Sequence, residues 1–477
     1  MSEFRLEHDS LGEIEIEKDA YYGANSRRAR NNFNITGSSM DEEFINAIIE
    51  VKKACAIENA KIGLLSLEIK DAIIAAANAV LAGSYRKYII VDPIQGGAGT
   101  SFNMNVNEVL ANIANVSLGG ELGKYDKVHP NDHVNKGQST NDVIPTSGKI
   151  ALIRYFTKLK EENEKLTESL EKKASDFNDV YKMGRTQLQD AIPMSLGQEF
   201  AAYARVLKRD QKRFDKAIEA LSYVNLGGTA IGTGLNADPV YVKEVVGVLS
   251  EVTGLKLSQN EDLIDGTQNL DSLAFASSVL KTYALSLSKI SNDLRLMSSG
   301  PQVGIGDISL PATQPGSSIM PGKVNPVIPE VVNQVAFNVI GNDLTVTMAI
   351  EAGQLELNAF EPVIFFKLFE SLKTLRNAIN TLRINCIDNI KANREDLAER
   401  VEKSIGLVTA LAPHIGYEKS AKIAHMAMDT GKSIRELVLE KDLINEDELD
   451  KILDFKKMIK PGILDEEKIS KKENNGL

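Results

Sequence analysis

The stretch LAFASSVLKTYALSLSKISNDLRLM, residues 273–297, decides the fold. Leu273, Leu280, Leu287 and Leu294 stand seven apart, and Ala276, Tyr283, Ile290 and Met297 form a second row at the same interval. A helix advances 3.6 residues per turn, so two interleaved sevenfold rows fall on one narrow face and make the a/d seam of a long packed helix. Such a helix is too long to bury itself within one small domain. The expectation is a bundle shared between subunits, with a monomeric bundle core as the alternative. Moving outward, Leu152, Phe156, Leu159, Leu166 and Leu170 repeat the helical spacing, with Asn163 at the one polar seam position. Strong helical character begins near residue 148 and recurs over 41–82, 331–349 and 362 to about 394. Phe4 to Ile16 reads as short strands around Leu11-Gly12. Beyond about residue 395 the pattern is of short helices, with Lys460-Pro461-Gly462 as a stop and a polar, frayed end.

Composition agrees with helices packed on helices. The 477 residues exceed one ordinary domain, Trp is absent and aromatics are only 6%, so Leu, Ile, Val, Ala and Met must fill the core. A net charge of −11 without a basic tract speaks against nucleic acid or an anionic membrane surface as partner. No apolar run is long enough to span a bilayer and no leader pattern opens the chain, which reads as cytoplasmic. Cys55 and Cys386 are isolated and read as buried free thiols. Five histidines form no metal-binding pattern, so neither a metal nor a cofactor is expected.

Four polar segments interrupt this apolar helical chain. They are Gly99-Thr100-Ser101, Gly137-Gln138-Ser139-Thr140-Asn141-Asp142, Gly184-Arg185-Thr186-Gln187-Leu188-Gln189-Asp190, and Gly316-Ser317-Ser318-Ile319-Met320-Pro321-Gly322-Lys323-Val324-Asn325-Pro326. Singly, the first three can be helix caps and turns. The fourth packs two hydroxyls, an amine and an amide between glycines and prolines, and reads as a mobile loop folding over a small anion. Many neutral donors with one lysine suit a small dicarboxylate without excessive buried charge. The loop glycines, with Gly304 and Gly306 upstream, are candidate hinges. His129 and His133 read as a turn with a helix cap.

These segments, together with Gly232-Thr233-Gly234-Leu235-Asn236, closely resemble the aspartase/fumarase superfamily of lyases over nearly the whole chain. The resemblance implies a mainly α, three-domain subunit, laid on this sequence as 1–140, 141–395 and 396–477. It also implies a homotetramer around a long-helix bundle, with each active site drawn from three subunits. Family members remove an amine or hydroxyl from a succinyl-type substrate and release fumarate. By the same resemblance Ser317 is the general base. Thr100, Ser139, Thr140 and Ser318 stabilise the enediolate. Lys323 and Asn325 hold the α-carboxylate, Met320 lines the loop, and Asn141, Thr186 and Gln187 surround the leaving amine. Gln187, Glu361 and the run Asn325-Pro326-Val327-Ile328-Pro329-Glu330 match the ammonia-releasing branch, acting on L-aspartate. A class II fumarate hydratase is the alternative.

Overall fold

The computed structural model describes residues 3–465, which fold into seventeen α-helices and eight short strands. The chain opens on the antiparallel hairpin β1 (Phe4–Asp9) and β2 (Gly12–Glu17), turning at Ser10-Leu11, next to the Leu11-Gly12 of the sequence reading. Next come α1 (Ala24–Asn32), α2 (Glu42–Lys61), α3 (Leu67–Leu81) and α4 (Thr100–Ser117). Asp41 starts α2 by accepting from the Glu43 and Phe44 N–H groups, and Ser66 caps α3 through Ile69 N–H.

The long helices follow. They are α5 (Thr140–Asp176), α6 (Leu196–Leu221), α9 (Asp271–Met297), α10 (Val327–Glu351) and α11 (Glu361–Asn385). Between them lie β3 (Tyr181–Thr186) and β4 (Gln189–Ser195), an antiparallel hairpin, and the parallel pair β5 (Tyr223–Val224) and β6 (Ser258–Gln259). The short helices α7 (Pro239–Thr253) and α8 (Leu263–Gln268) precede α9. All eight residues of the two sevenfold rows on α9 are buried, as are Leu152, Phe156, Leu159, Leu166 and Leu170 on α5. Each such leucine contributes about 1.5–3 kcal/mol by leaving water.

The described residues cluster into two compact units, 3–161 with 210–285 and 335–377, and 162–209 with 286–334 and 378–465. In the first, Phe156, Phe214 and Tyr283 link α5, α6 and α9, the first pair tilted with centroids 6.1 Å apart and the second edge to face at 5.0 Å. Ser277 donates to Asp343 at 2.8 Å and Asn342 to Ser371 at 3.1 Å, tying α9 to α10 and α10 to α11. In the second, the polar seam residue Asn163 is satisfied by the Leu207 carbonyl, and Tyr203 donates to Asp293. The remaining helices, α12 (Arg394–Lys403), α13 (Val408–Ile415), α14 (Tyr417–Thr430), α15 (Ile434–Glu440), α16 (Glu446–Ile452) and α17 (Phe455–Met458), build a core around Val401, Leu411, Ile434 and Leu449, into which Met183 of β3 also packs.

Three expectations change. The helical signal from 148 begins earlier, at Thr140. The segment 362–394 is not one helix: α11 ends at Asn385, and β8 (Lys391–Ala392) pairs with β7 (Ile308–Ser309) instead. The polar stretch 184–190 is not a free loop but the turn of the β3–β4 hairpin. Its tip residues Gln187 and Leu188 both take positive φ, 52° and 63°. The polar end, residues 468–477, lies outside the described residues.

Candidate active site

In the first unit, donors gather at two helix N-termini. Gly97, Ala98 and Gly99 all take positive φ, and this tight turn sets Thr100 as the first residue of α4, its hydroxyl donating to Gly97 O at 2.7 Å. A side chain at Gly99 would meet Ile144 of α5 at 3.0–3.2 Å, so α4 starts hard against α5. On α5, Ser139, Thr140 and Asn141 follow one another into the first turn, where Asn141 N–H donates to Ser139 Oγ at 3.3 Å and the positive end of the helix favours anions. Pro145 cannot donate back to the Asn141 carbonyl. Asn225 Nδ2 takes that oxygen instead at 3.1 Å, while Asn141 Nδ2 donates to Ala230 O at 2.7 Å.

A buried charge pattern lies beneath these donors. The Asp142 carboxylate is fully buried and accepts from Ser139 N–H at 2.9 Å and from Gly227 and Thr229 N–H at 3.1 Å each. Burial pushes it up to about 6, against the pull of those three bonds. Lys52 of α2 is also fully buried and donates to Asn135 Oδ1 and Gln138 Oε1. Burial brings its ammonium down to about 7, while Cys55 and Asp142 oppose that shift. Asn103, one turn after Thr100 on α4, donates to both Asn135 Oδ1 and Thr140 Oγ1. Asn103 thus ties Thr140 to Asn135, and Asp142 holds the Ser139 backbone, while the Thr100 hydroxyl bonds within its own turn.

The second unit carries the other seven candidates on two segments. Thr186 and Gln187 sit exposed at the hairpin turn. Arg185 beside them forks onto the fully buried Asp307 at 2.6 and 3.3 Å, with Lys182 at 3.2 Å and Arg400 at 3.5 Å on the same carboxylate. Ser317, Ser318, Met320, Lys323 and Asn325 share the loop between β7 and α10. Its neck is closed by Gly316 N–H donating to Lys323 O at 2.9 Å and by Asn325 Nδ2 donating to Gly316 O at 2.6 Å. Inside the loop, Ser317 Oγ accepts from the N–H groups of Ile319 at 3.2 Å and Met320 at 3.1 Å. Lys323 and Ser318 are exposed, and among the described residues the Lys323 ammonium has no partner. Gly316 serves by close approach, since a β-carbon there would lie 2.2 Å from Lys323 O.

Lys52, Asn103, Asn135, Asp142 and Asp307 escape the sequence reading. For Lys52 a signal exists: it interrupts the apolar stripe of Ile45, Ile48, Ile49, Cys55 and Ala56 on α2. His129 behaves as a cap, accepting from Asn131 and Asp132 N–H. Cys55 and Cys386 are buried free thiols.

A family model described as Lyase matches residues 12–341, and one described as Fumarase C C-terminus matches 407–460. The aspartate ammonia-lyase of Bacillus subtilis (strain 168) is 51% identical over 98% of this chain and 99% of its own. That of Escherichia coli (strain K12) is 49% identical over 96% of each. Among solved structures, a fumarate lyase:delta crystallin from Brucella melitensis superposes with TM-score 0.93 at 45% identity, covering 96% of this chain and 100% of that one. A class II fumarase from Schistosoma mansoni does so with TM-score 0.92 at 35% identity, covering 96% and 99%.

Proposed function

The chain belongs to the aspartase/fumarase family of lyases, and from that premise we propose that it catalyses the reversible deamination of L-aspartate to fumarate and ammonia. The higher identity to aspartate ammonia-lyases than to the fumarase supports the choice of leaving group, as do Gln187 and Glu361.

Ser317 is the general base in this reading. A serine hydroxyl is a poor base in water, and its activation needs negative charge on Oγ to be stabilised. The observation that carries the assignment is that Ser317 Oγ already accepts two backbone N–H groups, the arrangement that favours an oxyanion. Lys323 on the same loop adds positive charge and, with Asn325, holds the α-carboxylate. The Ser317 alkoxide takes the proton from Cβ, and the C–H electron pair moves into the β-carboxylate as an enediolate. Thr100, Ser139, Thr140 and Ser318 donate to that charge, each donor contributing about 2.7–4 kcal/mol. The pair then returns to form the C=C bond while the C–N bond breaks. The substrate amine enters as an ammonium, so it leaves as neutral ammonia without a proton from an acid. Asn141, Thr186 and Gln187 surround it, and Met320 lines the loop.

The active assembly in this reading is a cytoplasmic homotetramer with three-domain subunits (1–140, 141–395, 396–477) and sites drawn from three chains. Its support is a stripe along α10 at three- and four-residue spacing, Phe337, Gly341, Leu344 and Met348. The three large apolar side chains are 63%, 62% and 65% exposed within one chain. That is the pattern of a helix seam awaiting another helix.

The test follows fumarate absorbance with L-aspartate and L-malate in parallel. Fumarate from L-aspartate, abolished by orders of magnitude in Ser317→Ala with the tetramer intact, is expected. Turnover of L-malate alone would assign the hydratase instead, and near-normal turnover by Ser317→Ala would remove the base.

A further inference from the structure

Lys52 makes only donor bonds, and it is completely enclosed. Its ammonium meets Asn135 Oδ1 at 2.9 Å and Gln138 Oε1 at 2.8 Å. A carboxamide can ordinarily sit either way round, because its oxygen and nitrogen ends are the same size. Here the choice is forced, since turning either amide would set an NH₂ group against an ammonium. Asn135 must therefore present its oxygen, and Asn103 and Asn107 reach that same oxygen with their Nδ2 groups at 3.3 and 3.1 Å. Asn103 directs its other Nδ2 hydrogen to Thr140 Oγ1 at 3.3 Å. The amide oxygens of Asn103 and Asn107 are left buried without a partner. A network free to reorient would not keep two such orphans, which makes an imposed orientation the natural explanation.

We infer that Lys52 is a positioning residue: its donor-only head group fixes the Asn135–Asn103 chain so that Thr140 receives a hydrogen bond from behind and keeps its own hydroxyl hydrogen for the substrate carboxylate. Without this the Thr140 hydroxyl has two ways to bond, donating inward to a turned Asn103 oxygen or outward to the site. Only the second stabilises charge that develops on the substrate. Lys52 touches no reacting atom, so it acts through its partners, and in this inference the link that reaches the substrate is Asn135–Asn103–Thr140.

This inference rests on the proposed lyase reaction, and a double-mutant cycle separates the two. Lys52→Met, which keeps most of the length but cannot donate, is expected to lower kcat/KM for L-aspartate about tenfold to 10²-fold, chiefly in kcat, a partial loss of the roughly 10²- to 10³-fold that one aligned donor supplies. In a Thr140→Val background, which has no hydroxyl to align, the same substitution is expected to cost less than about threefold. A general weakening of the fold would instead multiply the two losses, and that outcome overturns the relay, as does a Lys52→Met enzyme with parental kcat/KM. If Lys52→Met does not assemble, Asn103→Leu stands one link closer to Thr140 and carries the same expectation and the same refutation. The parent enzyme tests the reading beneath: no fumarate from L-aspartate ends the lyase assignment, whereas parental activity with a multiplicative cycle ends only the relay.

Discussion

Gly316→Ala is the sharpest test of the loop that carries Ser317. A β-carbon at 316 would lie 2.2 Å from Lys323 O, 2.7 Å from its carbonyl carbon and 3.1 Å from Val324 Cα. The obstacle is backbone, which cannot swing aside like the end of a side chain. Restoring ordinary contact means opening the neck by about 1 Å. The two bonds that close it, at 2.9 and 2.6 Å, would then be lost. Each contributes about 0.5–1.5 kcal/mol net, and overpacking adds about 1–3 kcal/mol. The penalty on the closed loop is therefore about 2–6 kcal/mol, and kcat/KM should fall between about 30-fold and 10⁴-fold. None of this touches the core, since the loop residues are exposed or half-buried, so the melting temperature should move by less than about 2 °C. Gly322→Ala is the control: Gly322 has φ 83° with open space around it, so alanine adds only left-handed strain of about 1–2 kcal/mol. Fumarate absorbance and a thermal melt on the three proteins decide the matter. If Gly316→Ala stays within about threefold of the parent, or loses activity only in step with its melting temperature, the closed neck does not organise the base.

Other expectations follow from buried carboxyls and the exposed seam. Asp142→Asn offers one acceptor where two oxygens serve Ser139, Gly227 and Thr229 N–H. Orphaning one or two buried donors should cost about 2–4 kcal/mol in guanidinium denaturation and release the Ser139 backbone, lowering kcat/KM as well. Glu361 is fully buried with both oxygens unpartnered, and burial holds it well above the usual carboxylate range, with Lys149 opposing weakly. A raised folded value means stability is intact below about pH 4.5 and is lost as pH rises, by about 1.4 kcal/mol per unit while Glu361 stays protonated. Glu361→Gln should therefore match the parent near pH 4.5 and exceed it increasingly toward pH 7. Lys149, brought down to about 8, does not titrate in that window. Leu344→Glu combined with Met348→Glu should yield smaller assemblies by analytical ultracentrifugation, with loss of turnover; an unchanged tetramer would place the subunit contact elsewhere.

Period was legible in this chain and partnership was not. The rows at 273–297 state both the helix and its buried face, because both sevenfold rows are apolar throughout and the positions between them are mostly polar. Residues 331–349 give the helix but not its face: apolar side chains occur all round α10, and only packing separates buried Val332, Ala336 and Val339 from exposed Phe337 and Leu344. The hairpin at 181–195 lacked its signal, because Gln187 and Leu188 occupy positions where asparagine and glycine would announce a turn. The same divide runs through the candidate site. Side chains proposed to face substrate stand in compact, unusual segments and can be recognised there. Those that set their direction do not: Lys52 lies 83 residues from Asn135, and Arg185 lies 122 from Asp307. Nothing local marks Arg185, and at Lys52 the local sign is a break in the apolar stripe of α2, which does not tell what the lysine bonds to. A hydroxyl is equally a donor and an acceptor, so its identity alone leaves open which role it plays toward a carboxylate. In the proposed relay the role of Thr140 is decided by Asn103 behind it, whose orientation is set through Asn135 by a lysine that can only donate.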